Sequence, residues 1–167
     1  MSKRSLHIIR HGKSSWDFEN ISDIDRPLSP RGIDNAYLMA RKLADRKVVP
    51  DLILTSPANR ALYTAIIHAR IMKFPYEKIR ITDSIYMGNT DDLVELIRSQ
   101  EKTVSQLLLF GHNPAFTALA NHLMNHYLDN IPTSGIVSLT YDIETWDQVG
   151  NTPPESDFFD YPRRYGE

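Results

Sequence analysis

Short apolar runs at residues 6–10, 52–55 and 107–110 each stop abruptly at polar or turn residues, and segments of helical periodicity lie between them. Runs of this length, apolar at consecutive positions, suit strands that are covered on both faces. Ile33, Ala36, Tyr37, Ala40, Leu43 and Ala44 recur at helical spacing, as do Ala61, Leu62, Ala65, Ile66 and Ala69. A third set is Ala115, Phe116, Leu119, Ala120, Leu123 and Met124, and residues 91–100 form a shorter helical candidate after Thr90. Residues 79–82 and 136–141 read as further strands. Strands that alternate with helices lead to an α/β fold, because parallel neighbours need a crossover between them. The expectation is one domain over residues 1–167, a three-layer α/β/α sandwich around a mostly parallel central sheet.

A chain of 167 residues can bury roughly 70% of its unfolded surface, so a full core is possible without covalent staples. The absence of cysteine excludes disulfide scaffolds, thiolate zinc sites, iron–sulfur clusters and cysteine nucleophiles. With 19 Lys+Arg against 21 Asp+Glu the net charge is −2, so neither nucleic acid nor an anionic membrane is expected as a partner. Residues 1–5 run straight into the first strand, and no apolar run approaches the ~20 residues of a membrane span. A cytoplasmic location is therefore expected. Residues 151–167 hold three of the ten prolines and four aromatics (Phe158, Phe159, Tyr161, Tyr165), too many for a solvated tail. This segment is expected to pack on the domain surface.

In an open α/β sheet the ligand crevice lies at the carboxyl ends of the strands. The first strand ends in Arg10-His11-Gly12. The second leads into Ser56-Pro57-Ala58-Asn59-Arg60, with Ser56 as the expected N-cap and Pro57 at the first helical position. The third ends in Gly111-His112-Asn113-Pro114, with Asn113 as the expected cap. A cation near a helix N-terminus is electrostatically reversed by about 0.3–1 kcal/mol, so Arg60 asks for an anion nearby. Two arginines, two histidines and helix N-termini suit a tetrahedral dianion such as phosphate. Flanking cations also keep a histidine neutral, as a nucleophile requires.

Arg10-His11-Gly12, Ser56-Pro57 with Arg60, and Gly111-His112 together resemble the conserved elements of the histidine phosphatase superfamily. Residues 10–17 (RHGKSSWD), 25–29 (DRPLS) and Tyr161-Pro162-Arg163 are similar to its small SixA-type phosphohistidine phosphatase branch. The resemblance implies a phosphoglycerate mutase-like fold, here without a large cap insertion. It also implies that His11 attacks phosphorus while Arg10 and Arg60 hold the phosphoryl oxygens. A protonated His112 completes the cage, Asn113 contributes through its backbone or its cap, and no metal or other cofactor takes part. Many superfamily members carry a glutamate just after the strand near residue 82 to protonate the leaving group, and Ser84 stands at that position here. Asp17 and Asp83 are the candidate substitutes as proton donor. For Asp91 and Asp92 a helix-stabilising role after Thr90 is the better reading.

A phosphohistidine leaving group is a neutral imidazole and can dispense with a strong acid, unlike an alkoxide. The leading expectation is a phosphatase acting on phosphohistidine of a phosphorelay or phosphocarrier protein. A broad small-molecule phosphomonoesterase is the enzymatic alternative, and a weakly catalytic phosphate- or phosphoprotein-binding module the non-enzymatic one. Other residues have plainer roles. His122 and His126 are four apart, but no glutamate follows His122 as a zinc-protease motif demands. His7 is expected to be buried and hydrogen-bonded, His68 to interact with a helix dipole, and Trp16 and Trp146 to pack. Lys13 is read either as steering an anionic substrate or as solvated. Arg26 and Arg31 border the pocket or, for Arg26, form a structural ion pair.

Overall fold

The computed structural model describes residues 3–166; Met1, Ser2 and Glu167, the ends of the expected domain and of the 151–167 segment, lie outside the described residues. Six strands form one sheet: β1 (Lys3–Arg10), β2 (Leu52–Thr55), β3 (Arg80–Ile81), β4 (Gln106–Gly111), β5 (Ile136–Asp142) and β6 (Ser156–Asp160). Their spatial order is β3-β2-β4-β1-β5-β6. β1 to β4 run parallel, β5 pairs antiparallel with β1, and β6 pairs antiparallel with β5. The sheet is thus mostly parallel, as the alternation of strands and helices predicts.

Successive side chains on a strand point to opposite faces, so each apolar run supplies two cores. Leu6, Ile8, Leu52, Leu54, Leu107 and Leu109 face α4 (Thr90–Arg98) and α5 (Ala115–Leu123), packing with Leu93, Ile97, Phe116 and Leu119. Ile9, Ile53, Leu108 and Phe110 face α1 (Pro30–Asp45) and α2 (Asn59–Met72), packing with Met39, Leu43, Ala65 and Ala69. These two cores on one sheet make the three layers. Truncating a fully buried residue such as Leu109 to alanine is expected to cost about 2–5 kcal/mol.

The first helix starts as its sequence suggests: the Ser29 hydroxyl accepts the Gly32 N–H at 3.0 Å, with Pro30 leading the helix. The other two helix starts differ from expectation. Ser56 does not cap α2; its hydroxyl accepts the Ala58 N–H at 3.1 Å, closing a turn, and Ala58 takes the cap position. Likewise Pro114, not Asn113, occupies the cap position of α5, although Asn113 Oδ1 accepts the Thr117 N–H at 3.1 Å. A short additional helix, α3 (Asp83–Met87), precedes α4. Residues 156–160 are more than surface packing, since they add the edge strand β6 to β5, and a 3-10 turn at Pro162–Tyr165 follows. Among the described residues no helix is long and apolar enough to cross a membrane.

One close approach matters for the site. A Cβ on Gly32 would lie 2.1 Å from the Lys13 carbonyl oxygen, and one on Gly12 would lie 2.9 Å from the Gly32 oxygen. The chain leaving β1 therefore lies directly on the first turn of α1. Ser29 N–H and hydroxyl both donate to the Lys13 carbonyl, at 2.8 and 3.1 Å, and fasten it there.

Candidate active site

Because β2, β4 and β1 are adjacent and parallel, their carboxyl ends open side by side. Arg10 is the last residue of β1 and His11 the next, Arg60 is the second residue of α2 after β2, and His112 follows β4. All four line one cleft of about 360 Å³, together with Asn113, Lys13, Arg26 and Trp16. The two histidine rings lie with centroids 5.1 Å apart.

His11 is buried, and its Nδ1–H donates to the Gly12 carbonyl at 2.6 Å. That bond fixes the proton on Nδ1 and leaves the lone pair on Nε2. Burial, more than the neighbouring charges, lowers its pKa to about 3; the Gly12 bond opposes this, while His112, Arg60 and Arg10 reinforce it. The ring is neutral at pH 7. The Gly12 peptide is held in turn, its N–H donating to Thr64 Oγ1 at 3.0 Å while that hydroxyl donates to the Arg60 carbonyl at 2.7 Å. Thr64 escaped sequence reasoning; its signal is its spacing one helical turn after Arg60 on α2.

His112 Nε2 is hydrogen-bonded to Ser56 Oγ at 2.7 Å. Burial first, then the nearby Arg60, lower the His112 pKa to about 4, which favours the neutral ring where no anion is bound, whereas the expected protonated His112 belongs to the phosphate-bound cage. A bound dianion would act in the opposite direction and favour protonation. Arg10 donates from Nη1 to the Ile131 carbonyl at 2.9 Å. Arg10 Nε, Arg60 Nε and His112 Nδ1 are buried with no partner among the described residues. Buried polar groups are ordinarily paired, so unmet capacity on three residues of one cleft fits a place for a polar ligand.

Asp23, outside the cleft lining, pairs with two of its arginines, and sequence reasoning missed it. Arg60 Nη1 donates to the Asp23 carbonyl at 2.7 Å and Nη2 to its Oδ2 at 3.0 Å. Tyr86, from α3, donates its hydroxyl to the same Oδ2 at 2.6 Å, and Arg26 Nη2 donates to Oδ1 at 3.0 Å. The Tyr86 bond first, then Arg26 and Arg60, hold this carboxyl well below the ordinary range. Asp23 is therefore ionised, and it fixes the Arg60 fork while each terminal nitrogen keeps a second N–H for another acceptor. Its only signal in the sequence is the three-residue spacing to Arg26.

Asp17 and Asp83, the candidate proton donors, are exposed and absent from the cleft lining. Asp17 lies on the loop after β1, where its N–H bonds Ser15 Oγ at 3.1 Å, and Asp83 opens α3. Ser84 does not line the cleft either. Arg26 is both a structural ion-pair partner and a cleft residue; it also donates to Ser14 and stacks 3.9 Å over the Trp16 ring. Trp16 differs from expectation, being 78% exposed at the rim, whereas Trp146 is buried with its indole N–H on the Val104 carbonyl. His126 lies beyond the end of α5 and pairs with Asp157, so it does not share a helix face with His122. His68, four residues before the end of α2, is fully buried edge-on to Phe110 and held neutral by that burial, so it brings no charge to the helix dipole.

The sequence profile of the histidine phosphatase superfamily (branch 1) matches residues 6–102. The chain belongs to this superfamily. The matched span carries Arg10, His11 and Arg60, while His112 lies beyond it and is placed by the fold. An uncharacterized chloroplastic protein of Arabidopsis thaliana is 32% identical over 128 residues, 72% of this chain; the chain spans 59% of that relative's length. A SixA from Agrobacterium tumefaciens, described as a candidate phosphohistidine phosphatase, superposes with a TM-score of 0.74 at 30% identity over 83% of this chain and 92% of its own. The protein histidine phosphatase SixA in complex with tungstate superposes with a TM-score of 0.77 at 25% identity, covering 94% of both chains. The phosphoglycerate mutase-like fold and the SixA likeness read from the motifs thus agree with these superfamily members.

Proposed function

We propose that the chain is a phosphatase that works through a phosphohistidine on His11 and removes phosphate from phosphohistidine of a protein. The observation that carries this reading is the His11 ring itself, neutral, with its proton held on Nδ1 by Gly12 and its Nε2 free in a cleft lined by arginines and a lysine. Membership of the superfamily supports it, as does the SixA protein histidine phosphatase among the structural neighbours, whose bound tungstate is itself a tetrahedral oxyanion.

In the first step His11 Nε2 attacks phosphorus as the bond from phosphorus to the substrate nitrogen breaks, and a neutral imidazole leaves with its own proton. Arg10 and Arg60 stabilise the charge on the equatorial oxygens, and His112 takes up a proton as the dianion binds. In the second step water attacks phosphorus, the bond to Nε2 breaks, and inorganic phosphate leaves with the water's surplus proton passing to solvent. Asp23 is ionised and cannot donate a proton, which suits a leaving group that needs none. The charge stabilisation comes from guanidinium and imidazolium groups, so the reaction is expected to persist in the presence of a chelator.

Exposed Trp16, Phe18 and Met87 lie on the loop after β1 and on α3, the two segments that meet at Asp23. A rim of this kind suits a protein surface around the phosphorylated side chain. Side-by-side turnover of a phosphohistidine peptide, a phosphoserine peptide and a sugar phosphate tests the assignment. The expected kcat/KM for phosphohistidine is higher by on the order of 100-fold, the scale of general acid catalysis that alkoxide leaving groups would lack here. Comparable values on all three would refute it.

A further inference from the structure

A second cavity, of about 280 Å³, adjoins the catalytic cleft and shares Lys13 and Thr133 with it. Three separate pieces of chain bring cations to its wall. Lys13 comes from the segment fastened to α1 by Ser29, Arg31 is the second residue of α1, and Arg163 stands in the 3-10 turn after β6, anchored by buried Pro162. Asn35 and Tyr161 add hydrogen-bonding groups. The chain has more acidic than basic residues, 21 against 19, yet among the described residues no carboxylate lines either cavity. Neither Lys13 nor Arg163 forms an ion pair with a described residue. Cations gathered on one concave wall repel one another and raise the local concentration of anions.

We propose that this annex is a second anion subsite of the enzyme, which receives a further negatively charged group of the substrate while the phosphoryl group sits at His11. It rests on the phosphoryl seat proposed above. The guanidinium of Arg163 offers paired N–H donors that match a carboxylate or a phosphate, and the Lys13 ammonium, shared by both cavities, bridges the two anions. The substrate is then doubly anionic: either a phosphohistidine protein with an acidic side chain near the modified residue, or a small molecule with two phosphates.

Calorimetric binding of a ladder of α,ω-alkylenebisphosphonates, each against its singly charged-end alkylphosphonate, tests the site without catalysis. One chain length is expected to bind roughly tenfold tighter than its monophosphonate partner, the scale of one charge-assisted contact. Arg163→Gln should bring that ratio close to one, and Arg163→Glu should invert it, with thermal melts verifying that both variants fold. No gain at any length, or a gain that survives in both variants, overturns the proposal.

Kinetics then separate the sources. Aspartate-flanked and neutral phosphohistidine peptides are compared, as are a sugar bisphosphate and its monophosphate. A KM advantage confined to the acidic peptide, and lost in Arg163→Gln, establishes a protein carboxylate as occupant; one confined to the bisphosphate establishes a diphosphorylated small molecule. A bisphosphonate gain that depends on Arg163, with no hydrolysis of any phosphohistidine substrate, upholds the annex and overturns the phosphohistidine phosphatase reading instead.

Discussion

His7 and His11 stand four residues apart on one stretch of chain, both buried and both held neutral, yet they are built for different work. His7, in mid-strand, has both ring nitrogens occupied: Nδ1 bonds Ser138 Oγ at 2.7 Å and Nε2 bonds Gln106 Oε1 at 2.9 Å. Burial lowers its pKa to about 4 against the Gln106 bond. His11, one residue past the strand, has only Nδ1 occupied and opens its other nitrogen to a cleft of cations. A low pKa and burial therefore do not mark a nucleophile in this fold. An unpaired nitrogen at a strand end beside Arg10 and Arg60 does.

The comparison breaks most visibly if the two histidines are exchanged for inert residues. His11→Ala is expected to lower kcat by on the order of 10³–10⁴-fold or more while leaving the melting temperature close to that of the parent protein. Arg60→Ala should lower kcat/KM by on the order of 10²–10³-fold, as loss of a preorganised charge does, with partial recovery in Arg60→Lys. Asp23→Asn keeps the shape but removes the charge that fixes the Arg60 fork. A loss of roughly tenfold in kcat/KM is expected from it, less than for Arg60→Ala, because the residue acts through the arginine. His7→Leu should leave kcat per folded molecule within about twofold but cost about 1–3 kcal/mol in denaturant unfolding, since Ser138 and Gln106 lose their partner. A fall in kcat for the folded His7→Leu protein comparable to that of His11→Ala would erase the distinction.

Acid should act on both histidines in the same direction. His7, His11, His68 and His112 have folded values of about 4, 3, 3 and 4, all below the ordinary 6.5. Between those values and 6.5 the unfolded chain binds protons that the folded chain does not, so unfolding is favoured as pH falls. Their contribution to stability is complete above pH 6.5 and is lost progressively as the pH falls through 4 toward 3. Urea midpoints measured from pH 7.5 to 4 should fall accordingly, and a flat profile over that range would contradict the assignment.

What the sequence discloses of this architecture follows from where order is local. β1, β2, β4 and the helices after them are legible because strands covered on both faces read as continuous apolar runs and helices as periodic ones. β6 is not, because Ser156-Asp157-Phe158-Phe159-Asp160 is an edge strand with only its last residue buried and no alternation to see. Arg10, His11, Arg60 and His112 could be placed together because adjacent parallel strands must end on one side. Asp23 and Tyr86 could not, since one comes from a three-residue 3-10 turn and the other from a five-residue helix, and only the tertiary fold brings their side chains together. Asp17 and Asp83, the carboxylates read from sequence as proton donors, lie outside the cleft lining and away from its arginines, whereas Asp23, also outside the lining, pairs with Arg26 and Arg60.

The central claim is that His11, and not His7 or His112, carries the phosphoryl group. Millisecond quenching in alkali after mixing with radiolabelled phosphoramidate, followed by peptide mapping, tests it most directly. The expected result is an alkali-stable, acid-labile label on His11, present in His7→Leu and absent from His11→Ala. Label on any other residue, or a His11→Ala protein that hydrolyses phosphoramidate as fast as the parent, would contradict the account.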